Sequence, residues 1–172
     1  MDLLDTDGGG LYFQAEMPEG VEALLKMASN NYGRIDAECY LLKAYFIAPA
    51  NLAVLVAMYR YYYYEHKLDD ALRVAERAIE ISGRQLSMPA DWREVSEADL
   101  GAGVIRSINL LRFYLLAIKG AGYLKLRLKR IDEGIAMLRK VCLLDPRDRL
   151  GAKALLEIVA QSEYVMPSCA VV

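Results

Sequence analysis

From Glu19 onward, apolar side chains recur at helical spacing, and no stretch shows the strict alternation of a half-buried strand. When residues 18–51 are aligned with residues 52–85, a shift of 34 positions, the small and apolar residues coincide. In the first helix of each unit, the matched positions are Val21, Leu24, Leu25 and Ala28 against Leu55, Met58, Tyr59 and Tyr62. In the second helix, they are Ala37, Leu41, Ala44 and Ile47 against Ala71, Ala75, Ala78 and Ile81. The pattern predicts an all-α chain built from a repeated helix pair.

A third copy of the pattern occupies residues 115–148, so an insertion at residues 86–114 interrupts the period. An amphipathic segment at 149–164 follows, and we expect it to cap the stack as a final helix. Residues 1–17 and 165–172 are predicted to form a flexible leader and a flexible tail. The sequence therefore predicts one helical domain, residues 18–164, between two short terminal segments.

Small and acidic residues recur at fixed places in each second helix. Ala37, Ala71 and Gly134 occupy one repeat position, where we expect the two helices of a pair to cross closely. Acidic residues (Asp36, Asp70 and Glu133) stand beside them in the first turn, where the helix dipole favours negative charge. Each unit is thus predicted to be an antiparallel helix pair, and stacking of neighbouring pairs would supply the core.

The insertion has its own start signal. Ser96-Glu-Ala-Asp99 predicts a capping box, with Ser96 as the N-cap of a helix that continues into the third unit. Unbroken to residue 128, this helix would be about 48 Å long, and glycines at 101, 103, 120 and 122 permit a kink or close packing instead. We expect the insertion to cover one mouth of the stack or to form a dimer contact, with Trp92 filling the core rather than binding a ligand.

The pattern resembles the tetratricopeptide repeat (TPR) family over residues 18–164. The closest matches are Tyr62, Ala71 and Ala78 in the second unit, and Gly122 and Asp145-Pro146 in the third. Tyr59, Ala75 and Lys125 depart from the family's pattern. The resemblance implies a right-handed α-solenoid of antiparallel helix pairs with a C-terminal capping helix.

The resemblance also implies a binding surface, because the first helix of each TPR pair lines a concave groove that holds peptides or helices of partner proteins. The groove positions here are basic and rich in tyrosine, two features favoured at binding hot spots. They are Lys26, Asn30, Arg60, Tyr63, Tyr64, Lys119, Tyr123 and Arg127, beside Glu22. We expect Tyr59 and Tyr62 to pack in the core, and the partner to be a partly acidic peptide or helix.

Composition narrows the function further. The formal net charge is −2, which is not typical of a protein that binds nucleic acid or an anionic membrane, although the mean hydropathy of +0.15 is apolar for a soluble chain. Three distant cysteines favour a reducing, cytoplasmic location. The single histidine, His66, argues against a histidine metal site, and we expect neither a cofactor nor catalysis because no catalytic motif is present. The segment Lys125–Arg130 is expected to be a solvated helix face.

Two functional hypotheses remain. The first is a non-enzymatic module that binds a partner protein in its groove, as a chaperone, scaffold or assembly accessory factor. The second is a structural homo-oligomer, for example a homodimer, that buries the inserted helix and the surplus apolar surface. The apolar stretches Tyr59–Tyr64 and Val104–Leu116 motivate the second hypothesis.

Overall fold

The computed structural model describes residues 17–165, and this part of the chain contains seven α-helices and no strand. The prediction of an all-α chain is confirmed. The predicted leader and tail lie outside the described residues except for Met17, which packs against the core, and Val165, which ends the last helix. The helices are α1 (Val21–Asn30), α2 (Ile35–Ile47), α3 (Leu52–Tyr64), α4 (Leu68–Leu86), α5 (Glu97–Arg127), α6 (Ile131–Leu144) and α7 (Ala152–Val165).

Each helix packs against the next along the chain, and the most extensive interfaces join α4 to α5 and α5 to α6. The hydrophobic core is one cluster that runs from Val21 in α1 to Ala152 at the start of α7. Its largest fully buried side chains include Tyr59, Tyr114 and Phe113. Burial raises the pKa of Tyr114 to about 12, so this hydroxyl stays protonated at neutral pH.

Side-chain caps fix where several helices begin. Asn51 accepts hydrogen bonds from the backbone amides of Ala53 and Val54 at the start of α3. The predicted capping box at α5 is confirmed, because Ser96 Oγ accepts from the Asp99 amide and the Asp99 carboxylate accepts from the Ser96 amide. These bonds satisfy amides that the helix itself leaves without partners.

The small residues of the second helices lie at close contacts. Ala37 and Ala71 are fully buried, and Gly134 of α6 faces Gly122 of α5. A Cβ atom added at Gly134 would lie 2.8 Å from the Gly122 carbonyl oxygen and 2.8 Å from the Leu126 side chain. The predicted close crossing is confirmed at this pair, where only a hydrogen atom fits.

The inserted helix is kinked, but not at a glycine. Ser107 leaves the helical conformation with φ −166° and ψ 108°, which divides α5 into a first arm before it and a second arm after it. The Ser107 hydroxyl then accepts from the Leu110 amide at 3.2 Å, as an N-cap of the second arm. Gly103 instead provides close packing, since an added Cβ there would lie 2.8 Å from Met88.

Among the described helices, α5 has the length and apolar composition that could cross a membrane, with a window of mean hydropathy 1.3. Buried core helices satisfy the same criterion, and 44% of this window is buried inside the protein. Length and composition therefore do not assign α5 to a membrane.

The expectation of a solvated face at Lys125–Arg130 is wrong for its first residue. Lys125 is only 7% exposed, and its ammonium nitrogen lies 3.0 Å from the Glu76 carboxylate and 3.1 Å from that of Glu133. Arg130 also pairs with Glu133, at 2.7 Å. Hydrogen bonds from Arg130 and Lys125 lower the pKa of Glu133 to about 2. An ion cluster thus joins α4, α5 and α6.

Candidate functional site: a tyrosine-lined cleft

Helix α3 places its tyrosines around most of its circumference, because successive residues on a helix point about 100° apart. Tyr59 and Tyr62 are buried, which confirms the prediction that they pack in the core, and Tyr61 is buried as well. Tyr64 is 51% exposed, and Tyr63 is partly buried. The helix therefore presents two of its five tyrosines to the surface and anchors itself with the other three.

A cleft of about 520 Å³ opens between α1, α2 and α3. We call it the tyrosine cleft. Three tyrosines surround it, since the Tyr32 ring lies edge-on to Tyr61 at 6.1 Å and to Tyr64 at 6.5 Å between centroids. Such edge-to-face geometry is favourable for aromatic pairs. Its lining residues are Leu25, Ala28, Ser29, Tyr32, Leu41, Ala57, Arg60, Tyr61 and Tyr64.

The aromatic surface continues from the tyrosine cleft to α5. The Tyr63 ring lies 5.5 Å from Tyr64 and 6.3 Å from Tyr123, and the hydroxyl oxygens of Tyr63 and Tyr123 are 3.4 Å apart. Arg127 donates to the Tyr123 hydroxyl at 2.9 Å, and its guanidinium carbon lies 5.8 Å from the Tyr123 ring centroid. The structure therefore joins the turn after α1, α3 and α5 through one chain of aromatic contacts.

Five of the eight predicted groove residues belong to this surface: Arg60, Tyr63, Tyr64, Tyr123 and Arg127. The other three are placed differently. Lys26 and Asn30 are exposed on α1 but do not line the tyrosine cleft. The same is true of Glu22. Lys119 donates to the Leu150 carbonyl oxygen at 2.7 Å, just before α7 begins.

Sequence reasoning missed seven of the nine residues that line the tyrosine cleft, among them Tyr32, Leu41 and Tyr61. Tyr32 follows the last turn of α1, and a residue in a turn has no place in a helical repeat pattern. Tyr61 and Leu41 are core positions that also reach the cleft wall. The available signal was a single aromatic residue, Tyr32, in an otherwise polar segment. The direction of its ring depends on the turn at residues 31–34, which the sequence pattern does not specify.

The electrostatics of the cleft favour hydrogen-bond donation. Burial raises the pKa of Tyr32, assisted by the nearby Glu65 carboxylate. Burial also raises the pKa of Tyr61, while Lys67 opposes the shift. These phenols stay protonated at neutral pH and can donate. Within the described residues, no cluster of His, Cys, Asp or Glu side chains could hold a metal ion. The arrangement is suited to recognition by aromatic faces, hydroxyl groups and guanidinium groups.

The start of the insertion lies elsewhere. Arg93 stacks over the Trp92 ring at 4.5 Å, and Lys140 of α6 donates to the Arg93 carbonyl oxygen at 2.6 Å. Trp92 is partly buried against the core and borders a second pocket, of about 250 Å³, with residues of α4, α5 and α6. None of the described contacts of residues 87–96 reaches the tyrosine cleft, so this part of the insertion leaves the cleft open.

Comparison with known proteins gives one informative match. The chain is 46% identical over 161 residues to an uncharacterized 19.8 kDa protein in the nifW 5′ region of Azotobacter chroococcum mcd 1. The match covers 94% of this chain and 90% of that protein. The chain belongs to the family of this protein. No family model matches the chain, and no solved structure matches it.

Proposed function

We propose that this member of the family is a non-enzymatic interaction module that holds a peptide or helix of a partner protein in the tyrosine cleft. The observation that carries the proposal is the continuous aromatic surface from Tyr32 through Tyr63 to Tyr123, bordered by Arg60 and Arg127. Large, rigid aromatic rings and planar guanidinium groups contribute most of the energy at many protein interfaces.

We further propose that the helices form a TPR-like, right-handed solenoid of antiparallel pairs. Its support is the order of the elements. Residues 18–51 contain α1 and α2, residues 52–85 contain α3 and nearly all of α4, and residues 115–148 contain the end of α5 and α6. The Tyr63–Tyr123 contact then joins the first helix of the second unit to the first helix of the third, and the Tyr32–Tyr61 contact joins the turn after α1 to α3. In this arrangement α7 is the capping helix.

The partner's chemistry follows from the side chains that face it. Tyrosine rings offer apolar area and hydroxyl donors, and Arg60 and Arg127 offer charged donor forks that match carboxylates. A segment with aromatic or aliphatic side chains and one or more carboxylates is complementary to both. We propose a protein partner of this kind, with neither nucleic acid nor membrane as the ligand, and a cytoplasmic setting.

The biological role we propose is that of a chaperone, scaffold or accessory factor in the assembly of a larger protein complex. The position of the relative's coding sequence in the nifW 5′ region supports a search among neighbouring gene products. The nifW product is therefore the first purified protein to test.

The test is calorimetric titration of the full chain and of two cleft variants, Arg60→Ala and Tyr64→Ala, with purified products of nifW and adjacent genes. Loss of a hot-spot side chain should weaken binding about 30-fold or more, since such residues contribute about 2 kcal/mol. Phe46→Ala is the matched control, because Phe46 is 88% exposed and does not line the cleft. A partner that binds both cleft variants as tightly as the control contradicts the proposal, provided that circular dichroism shows unchanged folding.

The alternative, a homo-oligomer, rests on a different surface. The first arm of α5 exposes Val104 and Ile105, and the second arm begins with exposed Ile108; Ile105 is 88% exposed. A self-interface around the kink of α5 predicts a dimer in light scattering that becomes a monomer when all three residues are replaced by serine. A monomer at high protein concentration contradicts the alternative.

A further inference from the structure

We infer that the outward side of α2 is a dimer interface, which packs in antiparallel orientation against the same surface of a second copy of this chain. We call this surface the α2 face, and its residues are Cys39, Leu42, Lys43, Phe46 and Ile47. It shares no residue with the tyrosine cleft or with the exposed apolar residues of α5. Three observations carry the inference: the side chains that α2 turns outward, a comparison between the repeat units, and the placement of two opposite charges.

Helix α2 turns small side chains inward and large apolar side chains outward. Ala37 and Ala44 are fully buried, whereas Phe46 is 88% exposed and Leu42 and Ile47 are each 49% exposed. Together with a leucine of α1, Leu24, the α2 face lines a groove of about 450 Å³. Apolar side chains on both sides of a helix are typical of a helix that is covered on both sides. Among the described residues, α2 is covered on its inward side alone.

The other repeat units have mostly charged side chains at the positions of the α2 face. A shift of 34 residues aligns Cys39, Leu42, Lys43 and Phe46 with four residues of α4 that all take part in ion pairs: Arg73, Glu76, Arg77 and Glu80. In the third unit, the aligned residues of α6 are Ala136, Arg139, Lys140 and Leu143. The helix pair therefore does not need large apolar side chains here for its own packing. Their presence together in α2 indicates a surface that is buried in an assembly.

The spacing of the outward residues matches a contact between two helices. Cys39, Leu42 and Phe46 are separated by three and then four residues, which is the spacing of core positions in a coiled coil. An interface between two copies that are related by a two-fold axis forms each contact twice. Phe46 of each copy can thus pack into the groove beside α1 of the other copy.

Two opposite charges border this row of apolar residues. Asp36 lies about two helical turns before Lys43 on the same edge of α2, and both side chains are exposed. Neither belongs to an ion pair within the described residues. When two copies of α2 run antiparallel with Cys39 opposite Leu42, Asp36 of each copy faces Lys43 of the other. A parallel arrangement instead brings Asp36 level with Asp36 and Lys43 level with Lys43, so the charges favour the antiparallel dimer.

The dimer leaves the tyrosine cleft of each copy accessible. The residue that α2 contributes to the cleft is Leu41, which is buried on the inward side of the helix. The inference therefore goes beyond the proposed function, and it stands whether or not the cleft binds a partner protein.

The first experiment is sedimentation velocity of the full 172-residue chain over a range of concentrations. We expect a species of about twice the 19.3 kDa of one chain. Leu42→Glu combined with Phe46→Glu introduces the residues that α4 has at the aligned positions, and it should weaken dimerisation at least about 30-fold. Leu143→Glu is the matched control, because Leu143 is the aligned residue of α6 and is 63% exposed. This control should leave the dimer unchanged, and circular dichroism checks the folding of both variants.

A mixing experiment tests the antiparallel orientation. Asp36→Lys and Lys43→Asp, made in separate chains, each place like charges opposite one another in their own homodimers. An equimolar mixture of the two variants, one of them isotope-labelled, should form mainly mixed dimers in native mass spectrometry, because every facing pair then joins opposite charges. A single chain with both substitutions should dimerise within a few-fold of the unmodified chain, and it controls for folding.

Four results overturn the inference. The first is an unmodified chain that stays monomeric at every concentration, and the second is a dimer that Leu42→Glu combined with Phe46→Glu leaves unchanged. The third is a dimer that serine at Val104, Ile105 and Ile108 converts to a monomer, since α5 would then be the interface. The fourth is a mixture of the two charge variants in which mixed dimers are no more frequent than random pairing gives.

Discussion

The hydroxyl oxygens of Tyr63 and Tyr123 lie 3.4 Å apart, although 60 residues separate them in the sequence. Tyr63 stands at the end of α3 and Tyr123 near the end of α5, with α4 and the insertion between them along the chain. Arg127 completes the contact by donating to Tyr123. This short hydrogen-bonded chain carries the aromatic surface from one predicted repeat unit to the next.

Removal of the Tyr123 hydroxyl should loosen this connection. We expect Tyr123→Phe to lower the free energy of unfolding by about 0.5–1.5 kcal/mol, the usual net contribution of a hydrogen bond. Urea unfolding followed by circular dichroism measures the change. Tyr45→Phe is the control, because Tyr45 also packs against the core while its hydroxyl has no hydrogen bond among the described residues. Equal stability of the two variants would contradict the assigned role of Tyr123.

The space around Gly134 differs from the space around Gly101, and this difference predicts opposite effects for two glycine-to-alanine substitutions. Gly134→Ala should destabilise the protein by about 1–3 kcal/mol, because the new methyl group overlaps the Gly122 carbonyl oxygen and Leu126. Gly101→Ala should stabilise it by about 0.5–1 kcal/mol, because Gly101 lies inside α5 with open space around it. Urea midpoints of both variants test the pair, and a Gly134→Ala midpoint at or above that of the unmodified protein would refute the close crossing.

The ion cluster at Lys125 predicts a dependence of stability on pH. Hydrogen bonds from Arg130 and Lys125 lower the pKa of Glu133 from 4.5 to about 2, so the folded state favours the ionised carboxylate. This contribution is fully present above about pH 5 and is lost as the pH falls through the range from 4.5 to about 2. We expect Glu133→Gln to be less stable than the unmodified protein at pH 7, with a difference that shrinks towards pH 2.

Urea unfolding at several pH values between 7 and 2.5 measures this difference. Glu94→Gln is the matched control, because Glu94 is an exposed carboxylate outside the cluster. A Glu133→Gln difference that stays constant over the whole pH range would show that the carboxylate does not stabilise the fold through its charge.

The features that sequence analysis could predict are those set by local chemistry. The capping box at Ser96 involves four consecutive residues, and the close approach of Gly134 follows from one residue type at one repeat position. Tyr59 and Tyr62 could be placed in the core because a helix has a fixed period.

The features that it missed depend on how distant elements meet. The kink of α5 lies at Ser107, where a hydroxyl replaces a helical hydrogen-bond partner. The glycines of the same helix indicated either a kink or close packing, and Gly103 and Gly122 provide close packing. Lys125 belongs to a basic run, and its burial is visible only once Glu76 of α4 is placed beside it. Tyr32 reaches the cleft through the turn after α1, whose geometry no repeat pattern specifies.

The most direct test of the central claim, that the tyrosine cleft binds a partner protein, is site-specific photo-crosslinking in cells of the source organism. A benzoylphenylalanine replaces Tyr64 in one full-length variant and Phe46 in a second, and mass spectrometry identifies each adduct and the linked residue. We expect a defined partner protein linked through position 64, less of it after an added Arg60→Glu substitution, and no such adduct through position 46. Adducts at position 64 that contain only other copies of this chain, or the same partner linked equally well through position 46, would contradict it.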